Sequence, residues 1–193
     1  MNILAGGGST ALIIVLVVVV LLLIVVGWYI STSNKLNRYV VKMDEAESGI
    51  DVALTKRYDL LTKALAAVKG YAKHESETLE KVVAMRNPGR GASMEEKQEF
   101  ANQTTRALEG LSVVVEQYPT LKADTQFSAL QANIAEVEEQ LQAARRLYNS
   151  NVSVYNQAIV TFPTSFVANR KGMSKRAFFE AEAAKRQDVK MEF

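Results

Sequence analysis

The residue types that most often do chemistry are few or dispersed in this chain. It has no cysteine and one histidine, His74, which excludes a thiol nucleophile and a multi-histidine metal site. Carboxylates cluster within residues 44–47 and at Glu138-Glu139, but neighbouring helical positions point in different directions and have basic residues within reach. No nucleophile, base and orienting group share a specific spacing. We therefore predict no enzymatic activity, no cofactor and no bound metal.

Three charged residues fall among apolar neighbours in the first long helical stretch: Asp51, Arg57 and Asp59. Arg57 is seven residues from Ile50 and shares its helical face. A buried charge must be paired, and such a pair tends to specify helix register more than to add stability. The three residues are therefore candidates for a buried polar pairing. The alternative is that Arg57 lays only its stem over the core and keeps its head in water.

A Tyr-Asn pair occurs twice, at Tyr148-Asn149 and Tyr155-Asn156, seven residues apart. On a helix this spacing places both tyrosines on one face and both asparagines on the next. The pattern fits an aromatic and amide ladder along a helix seam, or a recognition face for another protomer. The candidate interaction face comprises Tyr148, Asn149, Asn151, Tyr155 and Asn156.

The candidate residues all follow a predicted membrane-spanning segment. Residues 12–26 are fifteen consecutive aliphatic residues, and residues 11–30 contain no charge. Twenty helical residues cross about 30 Å of hydrocarbon, and Trp28-Tyr29 resembles the aromatic belt of a bilayer interface. No basic residue precedes the run, and three follow within about fifteen residues of its end: Lys35, Arg38 and Lys42. This asymmetry predicts a single-pass protein with its N-terminus outside and its larger part in the cytoplasm.

Composition sets the remaining bounds. The chain has 193 residues, with 23 Lys and Arg against 21 Asp and Glu, so it lacks the concentrated basic surface of a nucleic-acid-binding protein. We predict a flexible lead over residues 1–10, a transmembrane anchor over 11–30 and a helical-bundle domain over 31–193.

The domain should consist of four helices. Apolar residues at spacings of three and four predict one long helix that can run from the bilayer to Met85, with Gly49 and Gly70 as possible soft points. A turn at residues 87–91 precedes Ser93-x-x-Glu96, a capping box that opens a second helix ending near Tyr118-Pro119.

A heptad pattern typical of a coiled coil predicts the third helix, over residues 127–162. A short turn at Thr164–Asn169 then leads to a last helix from Ser174 to about Arg186. Short connections between four helices predict an all-α antiparallel up-down four-helix bundle with a long first helix, behind a single transmembrane helix.

This topology returns the last helix towards the bilayer. The stretch from residue 170 holds seven basic and four acidic residues, so its cations are candidates for contact with anionic membrane lipids. The candidate lipid-contacting residues are Lys175, Arg176, Lys185 and Arg186. The alternative is an ordinary solvated surface helix.

Several stretches of the sequence resemble the bacterial LemA family. The matching stretches are residues 50–61 (IDVALTKRYDLL), 68–75 (VKGYAKHE) and 116–123 (EQYPTLKA), the two Tyr-Asn pairs, and Phe162-Pro163. Family members often carry Leu-Ile-Pro-Asn-Leu-Val after the arginine, where this chain has residues 60–65 (LLTKAL). The missing proline suggests a straighter first helix here.

The resemblance implies a single anchor in a bacterial membrane followed by a helical bundle, and no enzyme activity. The family that the chain resembles is associated with membrane-bound metalloproteases, with envelope or stress functions and with magnetosome membranes. We expect a non-enzymatic membrane-anchored scaffold that forms a homo-oligomer through its helical domain. The alternative is an adaptor that binds another membrane protein, such as a metalloprotease or an envelope-stress sensor.

Overall fold

The computed structural model describes residues 6–69, 85, 87–89 and 91–180. All regular secondary structure in these ranges is α-helical, which confirms the predicted all-α class there. The helices are α1 (Gly6–Lys69), α2 (Met94–Glu116), α3 (Pro119–Lys122), α4 (Thr125–Val160) and α5 (Thr164–Arg170).

The chain divides into two compact units, and α1 and α4 each contribute to both. The first, which we call the anchor unit, comprises Met1–Val41 and Ser153–Lys175. The second, the core unit, comprises Lys42–Val152 and Arg176–Phe193.

Helix α1 has no interruption from Gly6 to Lys69. No proline occurs in this range, and once a helix exists each further residue adds a hydrogen bond at little cost. Residues 6–10, predicted as part of a flexible lead, therefore join the helix. The helix also continues through residues 60–65, where family members often carry a proline, and through Gly49.

In the core unit, α4 runs antiparallel to α1. Asn151 Nδ2 donates a hydrogen bond to the carbonyl oxygen of Lys42, whereas Glu138 lies beside Arg57. Between these contacts a Cβ placed on Gly49 would lie 3.8 Å from the Cβ of Ala144, so the helices approach closely. An up-down bundle would make the first and third long helices parallel, so the predicted order is wrong for this pair.

Helix α2 runs parallel to α1, contrary to the antiparallel order predicted for the first two long helices. Lys97 near its start contacts Glu47, whereas Thr105 further along it contacts Arg57. The prediction failed because it assumed one helix up to Met85. The carbonyl oxygen of Met85 accepts a hydrogen bond from the Tyr58 hydroxyl (3.1 Å), whereas an unbroken helix would separate these residues by about 40 Å.

The second helix begins as the sequence predicts. Ser93 caps α2, its side chain accepts from the Glu96 N–H, and the Glu96 carboxylate accepts from the Ser93 N–H. Gly89 and Gly91 in the preceding turn adopt positive φ angles of 76° and 88°. One end of the core unit holds a cluster of buried apolar side chains: Leu61, Ala64, Leu65, Val68, Ala107, Leu111, Val114, Val115, Leu121 and Phe127.

Two predicted features near the end of the chain are wrong in the described residues. Thr164–Asn169, predicted as a turn, lies in helix α5. Residues 173–180, where the last helix was predicted to begin, contain no helix because side chains of α2 and α4 bind their backbone instead. The remainder of that predicted helix, and Gly70, lie outside the described residues.

In the anchor unit, the apolar run of α1 contrasts with the segment that follows it. Every side chain from Leu12 to Val26 is 45–72% exposed. Beyond the run, buried side chains occur on α1, α4 and α5, including Leu36, Ile159, Val167 and Ala168. Lys171 Nζ donates to Ser33 Oγ (3.0 Å) and Asn37 Oδ1 (2.6 Å) and so joins the residues after α5 to α1. The Phe162–Pro163 peptide bond is cis.

Candidate functional site

The first Tyr-Asn pair of α4 holds a non-helical segment of the same chain. The Tyr148 hydroxyl donates to the carbonyl oxygen of Ala177 (3.1 Å). Asn149 Nδ2 donates to the carbonyl oxygen of Phe179 (2.9 Å), and the Phe179 N–H donates back to Asn149 Oδ1 (2.8 Å). The amide side chain thus satisfies both backbone groups of one residue, as a neighbouring strand would.

Helix α2 and a second residue of α4 complete this arrangement, which we call the backbone clamp. Gln98 Nε2 donates to the carbonyl oxygen of Phe178 (2.9 Å), so the carbonyls of three consecutive residues, 177–179, are all bound. The Arg145 guanidinium lies 4.8 Å from the centre of the Phe179 ring, in cation–π geometry, and the ring is 3% exposed. The clamp comprises Gln98, Arg145, Tyr148 and Asn149.

Burial in the clamp changes the acidity of Tyr148. Loss of water around its ring and hydroxyl raises the pKa of Tyr148 to about 12, and the nearby carboxylate of Glu47 acts in the same direction. The neutral hydroxyl, which can donate to Ala177, is therefore retained well above neutral pH.

The other members of the predicted interaction face bond elsewhere. In the anchor unit, the hydroxyl of buried Tyr155 donates to the carbonyl oxygen of Ser174 (3.0 Å). In the core unit, Asn151 Nδ2 donates to the carbonyl oxygen of Lys42 (3.0 Å). Asn156 is half-buried. Tyr148, Tyr155 and Asn151 thus hold the chain itself together, and a role in binding a partner remains a prediction.

A buried lysine, Lys97, organises the charges between α1 and α2. Its side chain is 1% exposed, and its ammonium lies 2.7 Å from Glu47 Oε1 and 2.7 Å from Asp51 Oδ1. The two carboxylates retain 22% and 16% exposure, so the ammonium lies just below the surface. Burial acts to lower the pKa of Lys97, but hydrogen bonds to Asp51 and Glu47 outweigh it and the pKa is raised.

Arg57 is enclosed by α2 and α4. It is 3% exposed, so its head does not remain in water. One guanidinium nitrogen donates to the carbonyl oxygen of Ala101 and another to Thr105 Oγ1, both at 2.9 Å. Arg57 Nε lies 2.7 Å from Glu138 Oε2. Burial lowers the pKa of Arg57, and the carboxylate of Glu138 partly opposes this effect.

The three charges predicted as one polar pairing therefore have different surroundings. Arg57 pairs with Glu138 of α4, and Asp51 pairs with Lys97 of α2. Asp59 is exposed. Each observed pair joins two different helices, which is the arrangement that fixes how helices align.

A cleft of about 370 Å³ opens between α2 and α4 over Arg57. Its walls include Leu108, Val115, Phe127 and Ile134, and Glu138 lies at the rim. The guanidinium beneath it donates two hydrogen bonds and forms an ion pair with Glu138, so its charge is already paired within the chain. Among the described residues, no group of three or more His, Asp or Glu side chains is placed to hold a metal ion.

The predicted lipid-contacting residues are only partly described. Lys175 is exposed, and Arg176 Nη2 lies 3.9 Å from Asp44 Oδ1 in the core unit. Lys185, Arg186 and His74 lie outside the described residues. Lipid contact by these cations remains a prediction.

Sequence reasoning overlooked Lys97, Gln98 and Arg145. A usable signal existed for Lys97, because Met94, Lys97, Ala101 and Thr104 follow a spacing of three and four that marks a buried stripe. No comparable signal marked Gln98 or Arg145, because their roles depend on where residues 177–179 lie.

Comparison with known proteins agrees with this architecture. The LemA family model matches residues 46–193, more than half of the chain. The chain belongs to the LemA family. Over 163 residues it is 29% identical to Protein LemA of Metamycoplasma hominis, an alignment that covers 83% of this chain and 74% of that protein.

Shorter matches link this LemA-family chain to magnetosome proteins. It is 31% identical over 78 residues to Magnetosome protein MamQ 2 of Paramagnetospirillum magneticum, and 27% identical over 78 residues to Magnetosome protein MamQ of Magnetospirillum gryphiswaldense. Each match covers 40% of this chain and 29% of the relative. None of these names specifies an enzymatic activity. Family membership and the long apolar helix are consistent with a non-enzymatic protein held by a single-pass membrane anchor.

Proposed function

We propose that this protein is a non-enzymatic scaffold, anchored in a bacterial membrane by residues 11–30 and self-associating there through its helical domain. The observation that carries the proposal is the apolar run of α1, which has a mean hydropathy of 3.5 and is exposed along its whole length. Fifteen Leu, Ile and Val residues favour insertion by about 5–9 kcal/mol. The basic residues after the run favour an N-terminus outside and a cytoplasmic domain.

A surface of the core unit supports self-association. The outer face between α1 and α4 forms a groove of about 420 Å³, whose lining includes the small residues Ala46, Gly49 and Ala144. Leu147 projects at its edge and is 57% exposed. Small residues let a further helix approach closely, and an exposed leucine beside them gains from burial. A second copy of this chain is the partner we propose for this groove.

The test is the oligomeric state of the full-length protein, measured by mass photometry and crosslinking in detergent and in bilayer nanodiscs. Leu147→Glu should reduce the oligomeric fraction, because it places a charge in the groove. Gln142→Glu is the matched control, since Gln142 is exposed on the other flank of α4. A wild-type protein that is monomeric at cellular concentrations would refute self-association. If the Leu147→Glu protein still forms oligomers, the interface lies elsewhere on the protein.

The adaptor alternative receives less support. Tyr148 and Asn149 of the predicted recognition face bind residues 177 and 179 of the same chain. A partner that uses this face would first have to displace that segment.

A further inference from the structure

The anchor unit is charged with one sign only. The sequence of residues 1–41 and 153–175 contains no Asp or Glu, so all 21 acidic residues of the chain belong to the core unit. The anchor unit holds five cations: Lys35, Arg38, Arg170, Lys171 and Lys175. Two of these lie on α1, Arg170 ends α5, and the other two follow α5, so the unit combines cations that are far apart in sequence.

The same unit exposes large apolar side chains outside the apolar run. Phe162, between α4 and α5, is 82% exposed, and Phe166 on α5 is 57% exposed. Val160 at the end of α4 is 58% exposed. The next residues of α5, Val167 and Ala168, are completely buried, so the helix packs against the unit while Phe166 faces outwards.

This surface lies at the bilayer end of α1. Lys171, directly after α5, donates hydrogen bonds to Ser33 and Asn37. Ser33 is only three residues beyond Ile30, the last residue of the uncharged run, which is about 4.5 Å along the helix. The part of α1 that follows the run within this unit ends at Val41, so it is eleven residues long, about 16 Å.

We propose that the connection between α4 and α5 is a second membrane contact, in which Phe162 and Phe166 insert into the headgroup region and Lys35, Arg38 and Arg170 bind anionic lipid. Exposed aromatic side chains flanked only by cations are the chemistry of an anionic lipid interface. The contact is continuous with the span at residues 11–30. It therefore rests on the anchoring half of the proposed function and not on self-association.

The absence of cysteine from the chain allows a direct test. Phe162→Cys and Phe166→Cys full-length proteins carry a nitroxide label and are inserted as single copies into nanodiscs of phosphatidylcholine, with or without phosphatidylglycerol. Collision rates of each label with oxygen and with a water-soluble nickel complex report its depth. Gln142→Cys on the core unit is the control, and circular dichroism checks the fold of each variant.

We expect labels at 162 and 166 to collide severalfold less with nickel than the label at 142, and more with oxygen. The difference should be larger in anionic discs and should shrink when Arg170→Gln and Arg38→Gln are added. Labels at 162 and 166 that are as open to nickel as the label at 142 would overturn the proposal. Protection that arises only at several copies per disc would also overturn it and would assign the surface to a second copy. Failure to enter the discs would instead refute the anchor.

Discussion

Replacing Lys97 by methionine should destabilise the helical domain strongly, although no ligand or catalytic group is touched. Lys97→Met keeps most of the buried stem but removes the ammonium that lies 2.7 Å from both Glu47 and Asp51. Breaking a buried pair by removing one partner costs about 3–5 kcal/mol. The two carboxylates retain 22% and 16% exposure and can partly rehydrate, so the low end, about 3 kcal/mol, is expected.

The assay is urea and thermal unfolding of the full-length protein in detergent, followed by far-UV circular dichroism. A loss of about 3 kcal/mol should lower the melting temperature by roughly 6–12 °C in a domain of this size. Lys63→Met is the matched control, because Lys63 is exposed, and it should change stability by no more than about 0.5 kcal/mol.

A compensating variant separates the charge effect from a packing effect. Lys97→Met combined with Glu47→Gln and Asp51→Asn removes the whole charge cluster and should recover stability to within about 1 kcal/mol of wild type. A single variant as stable as wild type, or a triple variant no better than the single one, would refute this reasoning.

The raised pKa of Lys97 also determines how the stability of the domain depends on pH. The stabilisation by protonated Lys97 is complete below its ordinary pKa of 10.5 and is lost as pH rises through its higher pKa in the folded state.

Three further predictions concern the clamp and a helix cap. Tyr148→Phe should lower the free energy of unfolding by about 1 kcal/mol. Wild type should lose stability as pH rises from 10 to 12, because the folded state holds the Tyr148 proton more tightly, and the variant should lack this loss. Unfolding titrations across this pH range and spectrophotometric tyrosine titration check both expectations. Asn149→Ala should speed amide hydrogen exchange at Phe179, whose N–H loses its acceptor, while Asn149→Asp, which keeps an acceptor oxygen, should retain part of the protection. Ser93→Ala should cost about 1 kcal/mol, and Ser93→Asp should restore most of it; a Ser93→Ala variant unchanged in urea midpoint would contradict the cap.

Local signals in the sequence predicted much of the fold. The capping box at Ser93 and Glu96 predicts the start of α2 because it concerns atoms within one turn. The uncharged run predicts a helix because nothing within it opposes one. The heptad pattern likewise predicts the stretch occupied by α4, which ends at Val160 just before Phe162-Pro163.

The wrong predictions required knowledge of distant contacts. Residues 174–186 have good helix formers, yet residues 173–180 are not helical because Gln98, Tyr148 and Asn149 bind their backbone. Arg57 was a candidate buried charge grouped with Asp51 and Asp59, but its partner lies 81 residues away at Glu138. Periodicity shows that a side chain is buried and does not show which neighbour meets it.

The backbone clamp binds mainly the main chain of the segment it holds and depends little on side-chain identity. Its hydrogen bonds end on main-chain atoms of residues 177–179, and only the Phe179 ring, stacked under Arg145, is held as a side chain. Ala177 and Phe178 can therefore be substituted while the segment keeps its place, whereas an insertion would shift the bound carbonyls out of register. Proline at 179 is the exception, because it lacks the N–H that Asn149 accepts. A stretch of chain with little sequence constraint can in this way stay in a fixed position on the domain.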